Sequence, residues 1–426
     1  MIYFGIIVCF ILLILSIIMN KNAFNPACLF NFVWLLILVF RSMNLYGLYD
    51  YSEETIDFFV IGIILFNFGV AACSLTSKPK KGVQKTMNFM FYLFTFITIA
   101  LLSYTSINSA LLLAKGQSIS SIRYWLRDEI LNNDFVSVLY NYFCYPMTFL
   151  IVHICIYRLF VKKHKIRYLL LAGFVVVASV LTEGGRFILL YVGIDVIMMT
   201  LITKRYKMLD NKMKRKMKPI IAISVFTMIA GFIYITVARN ADIFKTIYTY
   251  MCGCVNFFDA KISRFNGDYY YGLVSLHGFI RPIFTLLRSI GIISSLPTFL
   301  EGAGNVLLDV EKFTFISPEV QYNGFITNFY AFYVDGGLFG IVLFSLIYGF
   351  ACQKIFRKMS ANKDEFSIVL YLFIAQALAS SMLKFQFVAF NYSLGLVYFL
   401  FSYIPIGKSK HHETTLCCTR TSGVCE

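Results

Sequence analysis

Charged side chains are scarce in this chain: Asp, Glu, Lys and Arg make up 14% of its 426 residues, whereas 59% are hydrophobic. In a soluble domain about a quarter of the residues are charged and at most about half are apolar, so the composition excludes an ordinary soluble fold. Internal repeats and low-complexity linkers rich in proline or glycine are also missing. The sequence therefore predicts a single membrane domain over residues 1–406, followed by a disordered cytoplasmic tail over 407–426.

The short motifs of several enzyme classes are missing as well. The sequence has no P-loop, no G-x-S-x-G, no H-E-x-x-H and no clustered Asp-x-Asp for a metal-bound sugar nucleotide. Its eleven cysteines include no C-x-x-C pair and show no disulfide framework, although His411, His412 and the cysteines of the tail would suit a metal ion. If the protein is an enzyme, we expect it to work without a metal or other cofactor, on a substrate that reaches it from the membrane.

Long apolar stretches are what the sequence has in abundance. About 20 apolar residues cross the hydrocarbon core of a bilayer, and they must be helical because lipid cannot pair with backbone polar groups. We therefore predict an all-α polytopic membrane protein with about eleven transmembrane helices. The predicted spans are 2–19, 26–47, 56–75, 89–113, 138–160, 168–182, 187–203, 219–237, 328–352, 366–383 and 386–404.

Lysine and arginine residues indicate how these spans are oriented, because they collect in the cytoplasmic loops of membrane proteins. If the spans alternate, one side carries 25 of the 38 basic residues and the other carries 16 of the 22 acidic ones. This pattern predicts a protein of the cytoplasmic (inner) membrane with its N-terminus outside and its C-terminus inside, and it argues against nucleic acid as a partner. The basic side is formed mainly by the loops 76–88, 158–167, 204–218 and 353–365.

Residues 238–327 form the one long connection between the predicted spans, and so long a connection is usually functional. From Phe244 to Phe258 its apolar residues follow helical spacing. This spacing predicts an amphipathic helix on the outer leaflet or against the spans, although ordinary loop packing would explain it too. The stretch 272–296 is apolar enough to resemble a twelfth span. Three basic residues would then lie in lipid, so we predict a re-entrant or interfacial helix there.

These three basic residues, His277, Arg281 and Arg288, are candidate site residues. Because Pro282 suits the first turn of a helix, we expect the helix to begin near Arg281, just after His277. Arg281 and Arg288 are close to two full turns apart and therefore share one face. Two guanidinium groups side by side repel each other unless an anion lies between them, and a pyrophosphate would fit there.

Three consecutive tyrosines, Tyr269, Tyr270 and Tyr271, precede this helix and are flanked by glycines. They cannot all face one core, so we expect at least one exposed ring with an apolar face and a polar tip. Such rings suit sugar binding, and they suit the membrane interface equally well.

Two further arginines are expected near the outer face. Arg186 follows Thr182-Glu183-Gly184-Gly185 at the tip of a helical hairpin, where it either pairs with Glu183 or binds a phosphate. Arg239 comes directly after a predicted span, and there snorkelling to the interface is the alternative to a contact with substrate.

Two aspartates lie within or beside the predicted spans. Asp335 begins a stretch with Gly336 and Gly340, a spacing typical of close helix packing. Its carboxylate is expected either to pair with one of the arginines or to act as a general base. Asp195 lies deep in a span, where we expect it to be paired or protonated.

Several of these segments together resemble the Wzy-type polymerases, which join oligosaccharide repeat units into bacterial O-antigen or capsule. Thr182–Phe187 resembles the family's T-G-G-R-F turn, with Glu183 as an insertion, and Asn328–Gly340 resembles its N-x-Y…D-F-G-x-x-G, with Gly336 where phenylalanine is common. The cysteines of the tail do not fit the family. Earlier in the chain the likeness rests on Asn25-Pro26-Ala27, Phe30-Asn31-Phe32-Val33-Trp34 and Leu45-Tyr46-Gly47-Leu48-Tyr49.

The resemblance implies a GT-C-like glycosyltransferase that needs no metal. Its substrates would be oligosaccharide repeat units on undecaprenyl pyrophosphate at the outer face. The protein would be surrounded by membrane lipid, and a protein that regulates chain length would be a further partner. External arginines would hold the pyrophosphate, and a base would take the proton of the acceptor hydroxyl. The expected pyrophosphate ligands are Arg186, Arg281 and Arg288 with Arg239 in reserve, the base is His277 or else Asp335, and Tyr269, Tyr270 and Asn328 would contact substrate.

Two other functions stay open at this point. An O-antigen ligase, which moves finished polymer to the lipid A core, would also have many spans and one long external loop with arginine and histidine. A flippase for lipid-linked sugars would bury several charges within its spans. Asp195 is the only charged residue clearly placed deep within a predicted span, and we find no repeat symmetry. The pattern therefore favours an enzyme whose substrate reaches it from the outer side of the membrane.

Overall fold

The computed structural model describes residues 1–20, 22–77, 85–117, 134–162, 165–183, 187–208 and 242–405, with single positions between these ranges. Two of the candidate site residues, Arg186 and Arg239, lie outside the described residues. So do the predicted tail and, apart from single positions, the predicted span 219–237.

The described part of the chain is mostly helical. Seven of its helical segments are long and apolar enough to cross a membrane, and three shorter apolar helices coincide with further predicted spans. The prediction of a mostly α-helical chain with several apolar spans is thereby confirmed. The helices are α1 (Ile2–Asn20), α2 (Pro26–Ser42), α3 (Glu53–Leu75), α4 (Phe89–Ala114), α5 (Asp134–Leu139), α6 (Tyr145–Val161), α7 (Lys165–Glu183), α8 (Phe187–Arg205), α9 (Ile243–Ile262), α10 (His277–Ser289), α11 (Thr298–Val310), α12 (Asn328–Asn362), α13 (Glu365–Ala379) and α14 (Phe390–Phe401).

Shorter elements complete this order. A π-helical turn, Tyr140–Cys144, joins α5 to α6, and 3-10 turns lie at Leu45–Gly47 and Gln386–Val388. After α11 the strands β1 (Thr314–Phe315) and β2 (Gln321–Tyr322) pair antiparallel, with Thr314 opposite Tyr322.

Helices α3 and α12 pack closest together through glycine. A side chain at Gly69 of α3 would collide with the backbone of Leu346, and one at Gly349 of α12 would collide with the backbone of Phe66. Small residues let helix backbones approach where lipid supplies no hydrophobic drive for association. This contact fixes α12, which carries Asn328 and Asp335, against the N-terminal helices.

The described parts of the four basic loops meet at one end of the bundle. α12 ends there, and Arg357 near its end donates to the carbonyl of Cys73 in the last turn of α3 and to those of Thr76 and Ser77 just after it. A guanidinium thus satisfies groups that a helix terminus leaves unpaired. The lysine and arginine content of these four loops predicted that they lie on one side of the membrane, and their common end in the fold agrees with that. The contacts that join the segments are Arg357 with Thr76 and Ser77, Arg158 with Glu365 at 2.7 Å, and Tyr206 with Ser360 at 2.8 Å.

The segment 242–327 packs on the opposite end of the bundle. The first turn of α3 reaches α9, where Ser52 Oγ donates to Asp259 at 2.6 Å, and Leu45 N donates to the Tyr248 hydroxyl at 2.9 Å. Helix α9 confirms the helix predicted from Phe244 onward. Its buried face lies against the ends of α2 and α3, whereas Phe244 itself is 78% exposed.

Helix α10 begins earlier than the sequence predicts. It starts at His277, not near Arg281, so Pro282 lies inside it and not in its first turn. A proline in a helix interior removes one backbone hydrogen bond, and packing must compensate. The first turn of α10 is pressed against the chain before α14: a Cβ on Gly278 would lie 2.5 Å from the Phe387 carbonyl oxygen and 2.6 Å from Ser393 Oγ.

Candidate functional site

The break in α12 after Asp335 organises the site. Gly336 and Gly337 have non-helical backbone angles, so the carbonyls of Val334 and Asp335 are freed from the helical pattern. They accept hydrogen bonds from the backbone N–H of Tyr270, at 3.2 Å, and of Tyr271, at 2.9 Å. The tyrosine segment is thus bound to the broken helix by its backbone.

Asp335 makes the same connection with its side chain. Its Oδ1 accepts from Val274 N at 2.9 Å and its Oδ2 from Ser275 N at 2.8 Å, two residues before His277. The carboxylate is buried, and its two oxygens accept from backbone donors. None of the arginines that the structure describes forms the expected ion pair with Asp335, which instead positions the first turn of α10.

The G-x-x-x-G spacing does not produce the close helix packing that it suggested. A Cβ on Gly336 would meet nothing within 4 Å, and Gly340 approaches the carbonyl of Phe332 in its own helix. Gly337 has φ +59, a conformation that favours glycine, and a Cβ there would lie 2.7 Å from the Tyr269 hydroxyl. These glycines allow the break in α12 instead.

His277 also has an unusual environment. Its side chain is buried, and Nε2 has no hydrogen-bond partner among the described residues. Burial, and then the charge of Arg281, lower the pKa of His277 to about 4, while the Val388 carbonyl opposes this shift. Since Nε2 is unpartnered, the nitrogen facing that carbonyl is Nδ1. At pH 7 the imidazole is therefore neutral, with a free acceptor lone pair on Nε2.

Arg281 lies one turn further along α10 and faces the same spot. A Cβ on Gly304 of α11 would lie 3.4 Å from Arg281 Nη1 and 3.6 Å from His277 Nε2. The imidazole and the guanidinium thus both lie beside the backbone of Gly304, in the buried contact between α10 and α11. Arg288, on the same face of α10, is exposed near the end of that helix.

A second group of unpaired polar atoms lies at the start of α12. Asn328 is buried, and neither its Oδ1 nor its Nδ2 has a hydrogen-bond partner in the described part of the chain. The hydroxyls of Thr327 and Ser381 beside it are equally unpaired, and Asn328 N donates to the Ser381 carbonyl at 2.9 Å. The sequence singled out Asn328 but not Ser381, which is adjacent only in space, nor Thr327, whose position beside Asn328 in the chain does not show that its hydroxyl is unpaired.

The tyrosine rings differ in exposure, as the sequence predicts. Tyr271 is 87% exposed and Tyr269 41%, whereas Tyr270 packs against the core. Tyr270 also lies beside α11, since a Cβ on Gly302 would be 3.1 Å from its ring. Two rings are therefore available to a ligand or to the membrane interface.

An apolar cavity of about 220 Å³ opens on the other side of α10. It lies between that helix, α14 and the chain around α5, and its lining is mostly carbon. The residues that line it include Val138, Tyr142, Pro282, Ile283, Leu286 and Tyr398.

The comparisons with known proteins do not indicate a family or a function for the chain. No family model, no curated protein and no solved structure matches the chain. Among the residues that the structure describes, no group of three or more His, Cys, Asp or Glu side chains is arranged to hold a metal ion.

Proposed function

We propose that this protein is a membrane glycosyltransferase that polymerises oligosaccharide repeat units, carried on undecaprenyl pyrophosphate, into O-antigen or capsular polysaccharide. The observation that carries the proposal is the pair on α10: a neutral imidazole with a free Nε2 and a guanidinium one turn away, both facing Gly304. The resemblance of the sequence to Wzy-type polymerases points to the same activity.

The pair suits the two needs of glycosyl transfer to a hydroxyl. The bond between the anomeric carbon and the pyrophosphate oxygen breaks, and a bond from the acceptor oxygen to that carbon forms. Arg281 would stabilise the negative charge that grows on the leaving pyrophosphate, and such preorganised donors are usually the largest catalytic contribution. His277 Nε2 would take the proton of the acceptor hydroxyl.

The low pKa of His277 fits this role once substrate is bound. A base with a pKa of about 4 is weak, and the positive charge of Arg281 is one reason for that value. A pyrophosphate beside Arg281 would offset this charge and so raise the pKa of His277 towards neutrality. The base would then become stronger only when the donor substrate is in place.

Other features of the site support a lipid-linked sugar. The apolar cavity beside Pro282 and Leu286 would accept part of the polyprenyl chain, next to the helix that holds the pyrophosphate. Exposed rings of Tyr269 and Tyr271 and the unpaired amide of Asn328 would contact sugar hydroxyls and faces. Arg288, and Arg186 and Arg239 outside the described residues, are the further proposed anion ligands.

The proposal includes a topology. We infer eleven spans in a GT-C-like arrangement within the cytoplasmic (inner) membrane, with the N-terminus and the segment 238–327 outside and the tail inside. The separation of the basic end from the segment 242–327 in the fold supports this orientation. A chain-length regulator would then meet the protein from the outer side.

The test is deletion of the gene in its own host, followed by gel analysis of the surface polysaccharide. A ladder that collapses to a single repeat unit on its acceptor supports polymerisation. Polymer stranded on the lipid carrier would instead mean a ligase, and single units trapped inside the cell a flippase.

Complementation with variants then tests the site. Arg281→Ala and His277→Ala should each abolish long polymer at protein levels equal to wild type. Loss of one charge-stabilising donor costs about two to three decades in rate, and loss of a general base costs about two to four. Arg264→Ala changes an exposed arginine of the same external segment and should restore wild-type chains. Normal chain lengths with both site variants would refute the pyrophosphate and base roles.

A further inference from the structure

A second cluster of ionisable groups lies inside the bundle, away from α10. His153 of α6 and Asp195 of α8 are both fully buried, and His153 Nε2 lies 3.8 Å from Asp195 Oδ2. Burying such groups is costly, and within membrane spans they usually mark a functional site. The sequence pointed to Asp195 alone, because His153 is 42 positions earlier and meets it only in the folded chain.

The hydrogen bond of the other ring nitrogen determines what His153 offers to Asp195. His153 Nδ1 lies 2.6 Å from the Phe149 carbonyl oxygen, which can only accept, so Nδ1 carries the proton. In the neutral ring Nε2 is then an acceptor, facing the carboxylate, which is also an acceptor. Stacking on Phe373, with ring centroids 4.1 Å apart, holds the imidazole in this orientation.

Gln376 of α13 completes the cluster. Its side chain lies within hydrogen-bonding reach of both His153 and Asp195. Yet its Oε1, both carboxylate oxygens of Asp195 and His153 Nε2 have no hydrogen-bond partner of ordinary geometry among the described residues. Four buried acceptor atoms therefore meet with a shortage of donors, an arrangement that is unfavourable unless something positive or protic joins it.

We propose that His153, Asp195 and Gln376 form a binding site for one monovalent cation, either a proton or Na⁺. A carboxylate and an amide oxygen are the hard ligands that a small cation prefers. A single positive charge balances the single carboxylate. The site is separate from the proposed glycosyl transfer and does not depend on it.

A buried polar path runs from this site towards Asn328. Tyr191 of α8, one turn from Asp195, donates to Gln386 Oε1 at 3.4 Å, and Gln386 Nε2 donates to Ser380 Oγ at 2.8 Å. Ser381, next in the chain, bonds Asn328 through the backbone. The cation site is thereby connected through the protein interior to the end of the bundle that carries the external segment.

Thermal unfolding of the purified full-length protein in detergent tests the site. Unfolding is measured in NaCl, KCl and choline chloride at equal ionic strength, from pH 5.5 to 8.5. A ligand that binds only the folded state raises the melting temperature, by about 2 °C or more when it is well above its dissociation constant. A rise specific to NaCl identifies Na⁺. A pH dependence that is equal in all three salts identifies a proton.

Variants assign the response to the cluster. Asp195→Asn and Gln376→Leu should each remove it, and Ser345→Ala, which changes another buried unpaired hydroxyl, should keep it. Among the described titratable side chains, Tyr392 lies near Asp195 and Tyr191 lies near Tyr392. The phenylalanine variants of both tyrosines should keep a pH response that belongs to the cluster. A wild-type protein that responds to neither Na⁺ nor pH, or an equal response after Asp195→Asn, overturns the proposal.

Discussion

Asp335 Oδ2 accepts a hydrogen bond of 2.8 Å from the backbone N–H of Ser275, across sixty positions of sequence. Together with the bond from Val274, it ties the entry of α10 to the break in α12. The location of His277 therefore depends on a carboxylate that need not touch substrate. Hydrogen bonds to charged groups are among the stronger ones, at about 1.5–3 kcal/mol each.

Replacing this carboxylate should loosen α10. In Asp335→Asn only one side-chain atom remains an acceptor, so either Val274 N or Ser275 N loses its partner. We expect a loss of about 1–3 kcal/mol in the stability of this connection, and faster amide exchange of residues 274–280 in mass spectrometry. Asp268→Asn, an exposed aspartate of the same segment, is the control. Unchanged exchange would mean that other contacts hold α10.

The two glycines of the break should respond differently to alanine. Gly337→Ala places a Cβ at φ +59 and 2.7 Å from the Tyr269 hydroxyl, so we expect about 1–3 kcal/mol of destabilisation. Gly336→Ala meets nothing within 4 Å and should cost much less. Melting temperatures of the two variants make the comparison. Adding Tyr269→Phe to Gly337→Ala removes the hydroxyl that the new Cβ would approach. It should therefore recover only the part of the destabilisation that comes from this clash, and not the part that comes from the backbone conformation. Equal effects of the two alanines would contradict the strained conformation at Gly337.

Gly304→Ala should reduce activity without unfolding the protein. The new methyl group would lie in ordinary contact with Arg281 Nη1 and His277 Nε2, in the space where a ligand is expected to approach. Displacement of a ligand by about 1 Å can cost about a hundredfold in rate, so long polymer should be lost at a normal melting temperature. Gly173→Ala, where a Cβ meets nothing, is the matched control. Full activity of Gly304→Ala would mean that substrate binds elsewhere.

The lowered pKa of His277 predicts a pH dependence of stability. The unfolded chain takes up a proton near the ordinary pKa of about 6.5, whereas the folded chain does so only near pH 4. Between these values the unfolded state binds more protons, so stability falls as pH falls, by at most about 1.4 kcal/mol per pH unit. Denaturant unfolding from pH 7 to pH 4 should show a smaller fall in His277→Gln than in wild type. Parallel curves would place the pKa of His277 near its usual value.

The apolar spans and the common end of the basic segments were predictable because composition and charge act over whole segments. Helix α9 was predictable for a similar reason, since its spacing repeats over several turns. Contacts between distant segments were not predictable. Nothing in the sequence near Asp335 indicates that Val274 and Ser275 are its partners, and nothing near His153 indicates Asp195.

Pro282 gave a wrong helix start for a related physical reason. The rule that proline prefers the first turn is an average over protein helices, whereas the early turn of α10 is held by packing around Gly278. The spacing of Gly336 and Gly340 misled in the same way, because glycine permits a break as readily as it permits close packing. Tertiary contacts decide between such alternatives, and a single sequence does not contain them.

The break in α12 also bears on how the chain is made. Its freed carbonyls, at Val334 and Asp335, lie within a helix that is apolar enough to span the membrane, and lipid cannot pair with them. Their donors come from Tyr270 and Tyr271, which are synthesised some sixty residues earlier. When α12 leaves the ribosome, the segment that completes it is already available. Reversing that order, by a circular permutation that moves 242–327 behind α12, would require this helix to enter the bilayer with its broken turn unpaired.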